Sequence, residues 1–356
     1  MKHGVRPDVV TYNTLLSACE RAANVSKAIQ LFHNMSACGV VADTISFNSL
    51  ISCLGKAGEW KKAMQYFDQM TSLKVKQDEI TFTSAITACG KGRQWAKALE
   101  LFGEMDRRGL PCSVISYTAT INACERSGRW SEALQMFDLM AKDRRVQPNV
   151  VTYTAAISAC ACGKQWVRAL EILNNMQKQA TCHANVRPNQ ITYGMAIRAC
   201  ARCNKWEKAM EVMRAMDQKG IRHGSFSFSE AISACSGGGY HVEAVRLYDR
   251  MCTEKIRPNR RAFAGVLTSL DKLKQHHRVQ QVVQHIKAMG IDHFNHPVFN
   301  LNQPSQQRRR GGYSRHGPSS VGFRNNHRGG NASGDSSRAG SWRRQGATTS
   351  NRRYNR

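Results

Sequence analysis

Five cations recur at one offset along the chain, Arg21, Lys56, Lys91, Arg126 and Arg202, each nine residues past an aromatic that follows Thr or Ser. A row of like charges repeated once per structural unit matches a phosphate backbone, whereas an ordinary solvated face would not stay single-signed in register. The chemistry on offer is therefore the binding of a polyanion. Catalysis is not expected. The acids scatter over helix surfaces, no HxE is followed by the downstream CxxC that a zinc deaminase needs, and no phosphate-cradling glycine loop occurs. Of the thirteen cysteines, six (Cys19, Cys89, Cys124, Cys160, Cys200 and Cys235) sit at one offset, seven residues past the same aromatic. A free Cys behaves as a small buried hydrophobe, so these are read as reduced packing residues rather than disulfides. Cys200 and Cys203 form a single CxxC inside a helix, a weak pattern for zinc. Neither a metal nor a cofactor is expected.

The totals agree. The chain carries 52 Lys and Arg against 25 Asp and Glu, a net charge of +27. A surplus of that size makes a polyanion the default partner, nucleic acid ahead of an anionic membrane face. There is no apolar run long enough to span a bilayer, and the first residues show no signal or transit peptide. Neither a membrane nor a small-molecule substrate is expected as partner. Lys2 to Asp8 resembles the closing tail of a repeat, as in Lys219 to Gly224 or Glu254 to Asn259. Residues 1–8 are accordingly read as the end of an upstream repeat, in a chain that starts inside a longer protein.

Such a row needs a scaffold that repeats. Taking the aromatic as register mark gives Tyr12, Phe47, Phe82, Tyr117, Tyr153, Tyr193, Phe228 and, without its Thr, Phe263, at spacings of 35, 35, 35, 36, 40, 35 and 35. Self-similarity at this period predicts a stack of two-helix units rather than one globular core. Tyr12, Leu15, Leu16 and Cys19 fall at i, i+3, i+4 and i+7, the apolar stripe of a first helix, and Val25, Ala28, Ile29, Phe32 and Met35 make the stripe of a second. Later second helices are headed by Trp60, Trp95, Trp130, Trp166 and Trp206, which share a stripe with Ala, Leu, Phe and Met and so read as packing rather than as platforms for bases. Gly39, Gly109 and Gly220 close second helices with a left-handed residue, and Pro148, Pro188 and Pro258 bar their continuation. One extra residue near Arg144 and Arg145, and five through 179–185, map to surface loops. The expected fold is all-α, a solenoid of about eight two-helix units starting near residues 9, 44, 79, 114, 150, 190, 225 and 260, the last a degenerate cap ending at 294. Residues 295–356 are a linker and tail. From 303 onward the tail holds twelve Arg, no Lys and one acid, Asp335, among Gly, Ser and Asn, a composition that cannot bury a core and predicts disorder.

The unit VVTYNTLLSACERAANVSKAIQLFHNMSACGVVAD, with its Thr-Tyr-Asn start, its period of 35 and the Pro-Asp or Pro-Asn that closes its neighbours, resembles the pentatricopeptide repeat family in a P-type array. The resemblance covers about four fifths of the chain. It implies a right-handed α-α superhelix whose concave wall is made by the first helices and carries single-stranded RNA at one nucleotide per unit. The base is read by the residue after the register aromatic together with the residue closing the unit. In register these pairs are Asn13 with Asp43, Asn48 with Asp78, Thr83 with Ser113, Thr118 with Asn149, Thr154 with Asn189, Gly194 with Gly224, and Ser229 with Asn259. An amide or hydroxyl at the start of one helix and a carboxylate or amide entering the next can bond one base edge. By the family's pattern Asn with Asp favours U, and Thr or Ser with Asn favours A. The RNA expected is U, U, an undetermined purine, A, A, any base, A. Gly194 with Gly224 offers no side chain, and Ala264 with Phe294 departs further. Capping of the next helix is the plain alternative for the closing residues.

The resemblance further implies that Val10, Ile45, Ile80, Ile115, Val151, Ile191 and Phe226 sandwich bases between successive units, gaining buried area without reading identity. The competing reading packs them on the preceding second helix. Arg310-Gly311-Gly312-Tyr313 and Arg328-Gly329-Gly330, near Phe323 and Trp342, resemble RGG segments that bind RNA loosely; a solvated linker is the alternative. The family points to an organellar protein, in chloroplast or mitochondrion, that marks a transcript for processing, editing, stabilisation or translation. With no catalytic constellation, RNA-processing enzymes would be recruited partners. A protein-binding scaffold is the other reading, but small polar and cationic wall positions are not the mixed pockets a peptide groove needs.

Overall fold

The structure is a computed structural model that describes residues 7–143, 145–181 and 186–291. Arg144, residues 182–185, Phe294 and the Arg-Gly tail with its expected disorder lie outside the described residues. Within them are sixteen α-helices and no strand. They follow as pairs: α1 (Val9–Arg21) with α2 (Val25–Ala37), α3 (Thr44–Ala57) with α4 (Trp60–Ser72), α5 (Glu79–Lys91) with α6 (Trp95–Arg107), and α7 (Val114–Arg126) with α8 (Trp130–Lys142). The second half continues with α9 (Val150–Cys162) and α10 (Trp166–Ala180), α11 (Gln190–Ala201) and α12 (Trp206–Gln218), α13 (Ser225–Gly237) and α14 (His241–Thr253), and α15 (Arg260–Lys272) and α16 (His276–Ala288). None is long and apolar enough to cross a membrane.

Each first helix packs on the next first helix, and each second helix packs on its own partner and on the first helix that follows. Successive second helices do not pack on each other to a comparable extent. The stack therefore closes up on the side of the first helices, which form its inner wall. Small residues allow that approach: a Cβ on Gly55 would stand 3.1 Å from the Ala88 Cβ, and one on Gly90 would stand 3.0 Å from that of Ala123.

The joint between units is aromatic. Phe32 of one pair meets Phe47 of the next with ring centroids 4.9 Å apart, Phe67 meets Phe82 at 5.2 Å, and Phe137 meets Tyr153 at 5.5 Å, all near edge-to-face. Such pairs add about 0.5–1.5 kcal/mol to the area they bury. Phe47, Phe82, Tyr193, Phe228 and Phe263 are fully buried. The described cysteines are free thiols, and Cys89, Cys124, Cys160, Cys200 and Cys235 are buried in the same core. Burial pushes the Cys160 and Cys200 thiols up to about 12, so they pack as neutral groups. Cys203, expected within a helix, instead lies in the turn after α11, where its thiol donates to the Lys164 carbonyl at 3.2 Å.

Leu15 departs from the expected stripe. It is 44% exposed, while Leu50 at the same offset is fully buried, because among the described residues no helix pair precedes α1 to cover it. The second-helix ends behave as their glycines require: Gly39, Gly109 and Gly220 have φ of 73°, 67° and 65°. Trp60, Trp95, Trp130, Trp166 and Trp206 are half-buried against the core, and Trp60, Trp130 and Trp206 lie against a glycine of the next unit. A Cβ on Gly92 would fall 2.3 Å from Cδ1 of Trp60, and one on Gly163 would fall 2.4 Å from Cδ2 of Trp130.

Gly92→Ala is expected to destabilise the array by about 1–3 kcal/mol, because the indole cannot retreat without leaving the joint. Gly103→Ala, inside α6 with nothing within 4 Å of its added Cβ, is expected to stabilise by about 0.5–1 kcal/mol. Urea unfolding of the two variants measures both signs.

Candidate nucleic-acid interface

The closing residues are N-caps. Side chains of Asp43, Asp78, Ser113, Asn149, Asn189 and Asn259 accept from backbone amides in the first turns of α3, α5, α7, α9, α11 and α15. Gly224 enters α13 with no side chain to do so. Capping is therefore part of their role, and it places each one at the mouth of a first helix.

The capping atoms also reach back one unit. Asn13 Nδ2 donates to both Asp43 carboxylate oxygens at 3.1 and 3.2 Å, while its Oδ1 accepts from Ser46 Oγ at 2.6 Å. Asn48 Nδ2 donates to Asp78 Oδ1 at 3.1 Å and its Oδ1 accepts from Thr81 Oγ1 at 2.6 Å. Thr118 and Thr152 hydroxyls lie 2.6 Å apart, and Thr152 donates onward to Asn149 Oδ1 at 3.0 Å. Thr154, Thr192 and Asn189 lie in the same order at 2.9 and 3.1 Å, but the Thr154 hydroxyl donates to the Val150 carbonyl at 2.7 Å. In the last pair Asn259 Nδ2 donates to Ser229 Oγ at 3.0 Å. Of the seven expected pairs, three are thus bonded directly across some thirty positions and two are linked through an intervening Thr.

Two pairs are not joined. Thr83 Oγ1 is buried without a partner, and Ser113 is occupied by Ser116. At Gly194 the ring of Phe226 takes the place of a side chain, since a Cβ there would be 2.8 Å from the ring.

These bonds leave opposite polarities unspent in the two kinds of pair, whose Asn13, Asn48 and Thr118 are themselves largely buried. In the Asn–Asp pairs the Asn amide keeps an N–H and the closing carboxylate keeps lone pairs, while the Asn oxygen accepts from a hydroxyl. In the Thr118–Asn149 pair the hydroxyl proton goes into the relay, leaving the Thr oxygen as acceptor and Asn149 Nδ2 as donor.

Ile80, Ile115 and Val151 of the apolar set and Lys56, Lys91 and Arg126 of the cations line two hollows on the wall. Val10, Ile45, Ile80, Ile115, Val151 and Ile191 are 58–68% exposed and Phe226 is 36% exposed, so packing on the preceding second helix does not account for them. A cavity of about 310 Å³ lies between Ile115 and Val151, with Thr118 and Asn149 in its lining and Lys91 and Arg126 at its edge. The next, about 290 Å³, is lined by Ile80, Ile115, Thr83 and Lys56. Ile115 is common to both, so one branched side chain divides two consecutive slots.

Arg21, Lys56, Lys91, Arg126 and Arg202 are all exposed. Lys56 Nζ lies 3.1 Å from Glu20 Oε1, and Lys91 Nζ donates to the Lys56 carbonyl at 2.7 Å. Cys162 and Gly237 interrupt the row at its offset.

Sequence reasoning missed Arg261 and Glu230. Arg261 occupies in the eighth unit the offset that Val10 and Ile45 hold earlier, a register signal that was available. Its Nη1 lies 3.0 Å from Glu230 Oε1, and the Glu230 side chain is only 2% exposed. Burial pushes that carboxyl up against the opposing pull of Arg261, Arg198 and Arg202.

The PPR_2 model of the PPR repeat family matches residues 7–54, 42–91, 78–126, 113–162 and 148–202, and the PPR repeat model matches 191–221 and 226–256. Among solved structures the chain is similar to the pentatricopeptide repeat protein PPR10 from maize, with 19% identity over 80% of this chain and 44% of that one and a TM-score of 0.54. It is also similar to PPR10 in complex with an 18-nt psaJ RNA element, with 18% identity over 80% of this chain and 46% of that one and a TM-score of 0.52. At such identity the likeness establishes the fold, and the chain spans less than half the length of these structures. No curated protein matches the sequence.

Burial pushes the Asp43 carboxyl up, but the Ser46 amide, the Ser46 hydroxyl and the Asn13 amide more than reverse this and hold it below its ordinary value; Thr81 and Asn48 do the same for Asp78. Both groups therefore ionise more readily folded than unfolded. Their contribution is complete above the unfolded value near 3.8 and is lost as pH falls through the lower folded values. Thermal melting by circular dichroism is expected to lose midpoint below about pH 4. In Asp43→Asn with Asp78→Asn, which keeps capping side chains, that loss is expected to flatten.

Proposed function

This chain belongs to the pentatricopeptide repeat family, and from that membership and the geometry of its inner wall we propose that it is a sequence-selective, single-stranded RNA-binding adaptor. The observation that carries the reading is the cavity of about 310 Å³ where a branched pair, a reader with its closing residue and two cations line one hollow. A flat base between Ile115 and Val151 gains buried area. Its edge meets Thr118 and Asn149, and its phosphates meet Lys91 and Arg126. In support, PPR10, of the same fold, was solved with an 18-nt psaJ RNA element.

The leftover polarities supply a physical reason for base choice. Asn48 with Asp78 offers a donor on the reader and an acceptor on the closing residue, which suits a uracil carbonyl beside its N3–H. Thr118 with Asn149 offers the reverse, an acceptor for the adenine amino group and a donor for its N1. The RNA proposed for the seven slots is U-U-R-A-A-N-A, read from the amino end with the strand running 5′ to 3′. The cations add a phosphate attraction indifferent to sequence. We assign the event that follows, whether processing, editing, stabilisation or translation of an organellar transcript, to enzymes the adaptor recruits.

Electrophoretic mobility shift with short RNAs of that order, scrambled RNAs and duplexes tests the reading. Equal affinity for all three would sink it. Asn48→Thr with Asp78→Asn carries the Thr118–Thr152–Asn149 relay into the second unit, where Thr81 is already in place. It is expected to move preference at that one nucleotide from U to A by about 1–3 kcal/mol. Arg126→Ala should weaken every RNA alike and reduce the slope of log affinity against log salt by about 0.7.

A further inference from the structure

The seventh slot is built unlike the others. From Val10 to Ile191 the residue two before the register aromatic is a branched aliphatic, but the seventh unit has Phe226 there and the eighth has Arg261. By register these two flank the base whose edge Ser229 and Asn259 would meet. Phe226 lies against Gly194, which has no side chain to displace it. Arg261 is held from behind: Nη1 lies 3.0 Å from Glu230 Oε1, and Nη2 donates to Ser233 Oγ at 3.4 Å.

Glu230 makes the arrangement costly. It sits beside Ser229 on α13 with its side chain 2% exposed, and its Oε2 has no partner. Burying a carboxylate for one ion pair to a surface arginine does not stabilise a fold as apolar packing would. What it does is hold a planar guanidinium, otherwise free to sample many rotamers, at the edge of a slot. A guanidinium plane stacks on a nucleobase face as an aromatic ring does, which an ammonium cannot do.

We propose that the seventh slot is a stacking clamp for a purine base of single-stranded RNA, with the Phe226 ring on one face, the Arg261 guanidinium on the other, and Glu230 as the residue that positions Arg261. The clamp rests on the RNA-binding reading. It differs from the aliphatic slots in drawing its affinity from the π-face of the base, and it anchors the strand where the row of wall cations has lapsed at Gly237.

The test uses the full chain and an RNA of the proposed order with 2-aminopurine in place of the seventh-slot adenine. Binding to the unmodified protein should quench the fluorophore by stacking. Arg261→Ala should weaken binding on the order of tenfold and restore most of the fluorescence, and Arg261→Lys, which keeps the charge and loses the plane, should do the same. Glu230→Gln should restore part of it with the melting temperature little changed. A Lys variant that binds and quenches like the unmodified protein would overturn the clamp and leave a phosphate contact, with the RNA-binding reading intact. Unchanged fluorescence in Glu230→Gln would overturn the positioning role. Failure of the unmodified protein to prefer this RNA over a scrambled one would overturn both the clamp and the reading beneath it.

Discussion

Everything in this molecule depends on the contact between one unit's second helix and the next unit's first. No pair of helices here can bury its own apolar face, so the core exists only as a series of joints. Phe67 against Phe82 is such a joint, and Trp60 laid across Gly92 braces it from the other side. Because the same residues recur at each step, each joint sets nearly the same displacement. That is why a row such as Ile45, Ile80 and Ile115 stays in line along the wall.

The joint also explains why the wall can be chemically specific. At the entry to each first helix the unpaired amides need a cap, and the capping side chain must come from the residue that closes the preceding unit. Packing one unit on the next brings that cap within 3.1 Å of Asn48, thirty residues earlier. One group therefore satisfies a helix end and ties two units together. The cap and the proposed base readout share the same atoms, and an Asn in place of Asp at a closing position keeps the cap while replacing a carboxylate oxygen with an amide donor.

Departures from the pattern are the informative part of such an array. Gly194 and Gly224 remove both side chains from one slot, and Phe226 moves into the space. Arg261 replaces a branched aliphatic, and a buried acid, Glu230, appears within reach of it. These are not random losses of register, because each change is answered by a neighbour in the adjoining unit.

The amino-acid sequence by itself determined the period, the helical class, the paired helices and their stops. These depend on local spacing: Tyr12, Leu16 and Cys19 on one face, Gly39 and Gly109 in a left-handed turn, and Asp or Asn before a first helix. Such signals act over a turn or two and are legible without a fold. The register also named the residues of the wall, through resemblance to a family. What only the tertiary structure decided was which of them meet. Asn13 touches Asp43 while Thr83 and Ser113 stay apart; Ile115 stands between two hollows rather than under a helix; Leu15 is bare where Leu50 is covered; Arg261 turns to Glu230. Each of these depends on the rotation and distance between stacked units. Those quantities are set by the fit of Phe, Trp and Gly at the joints, and no local pattern encodes them.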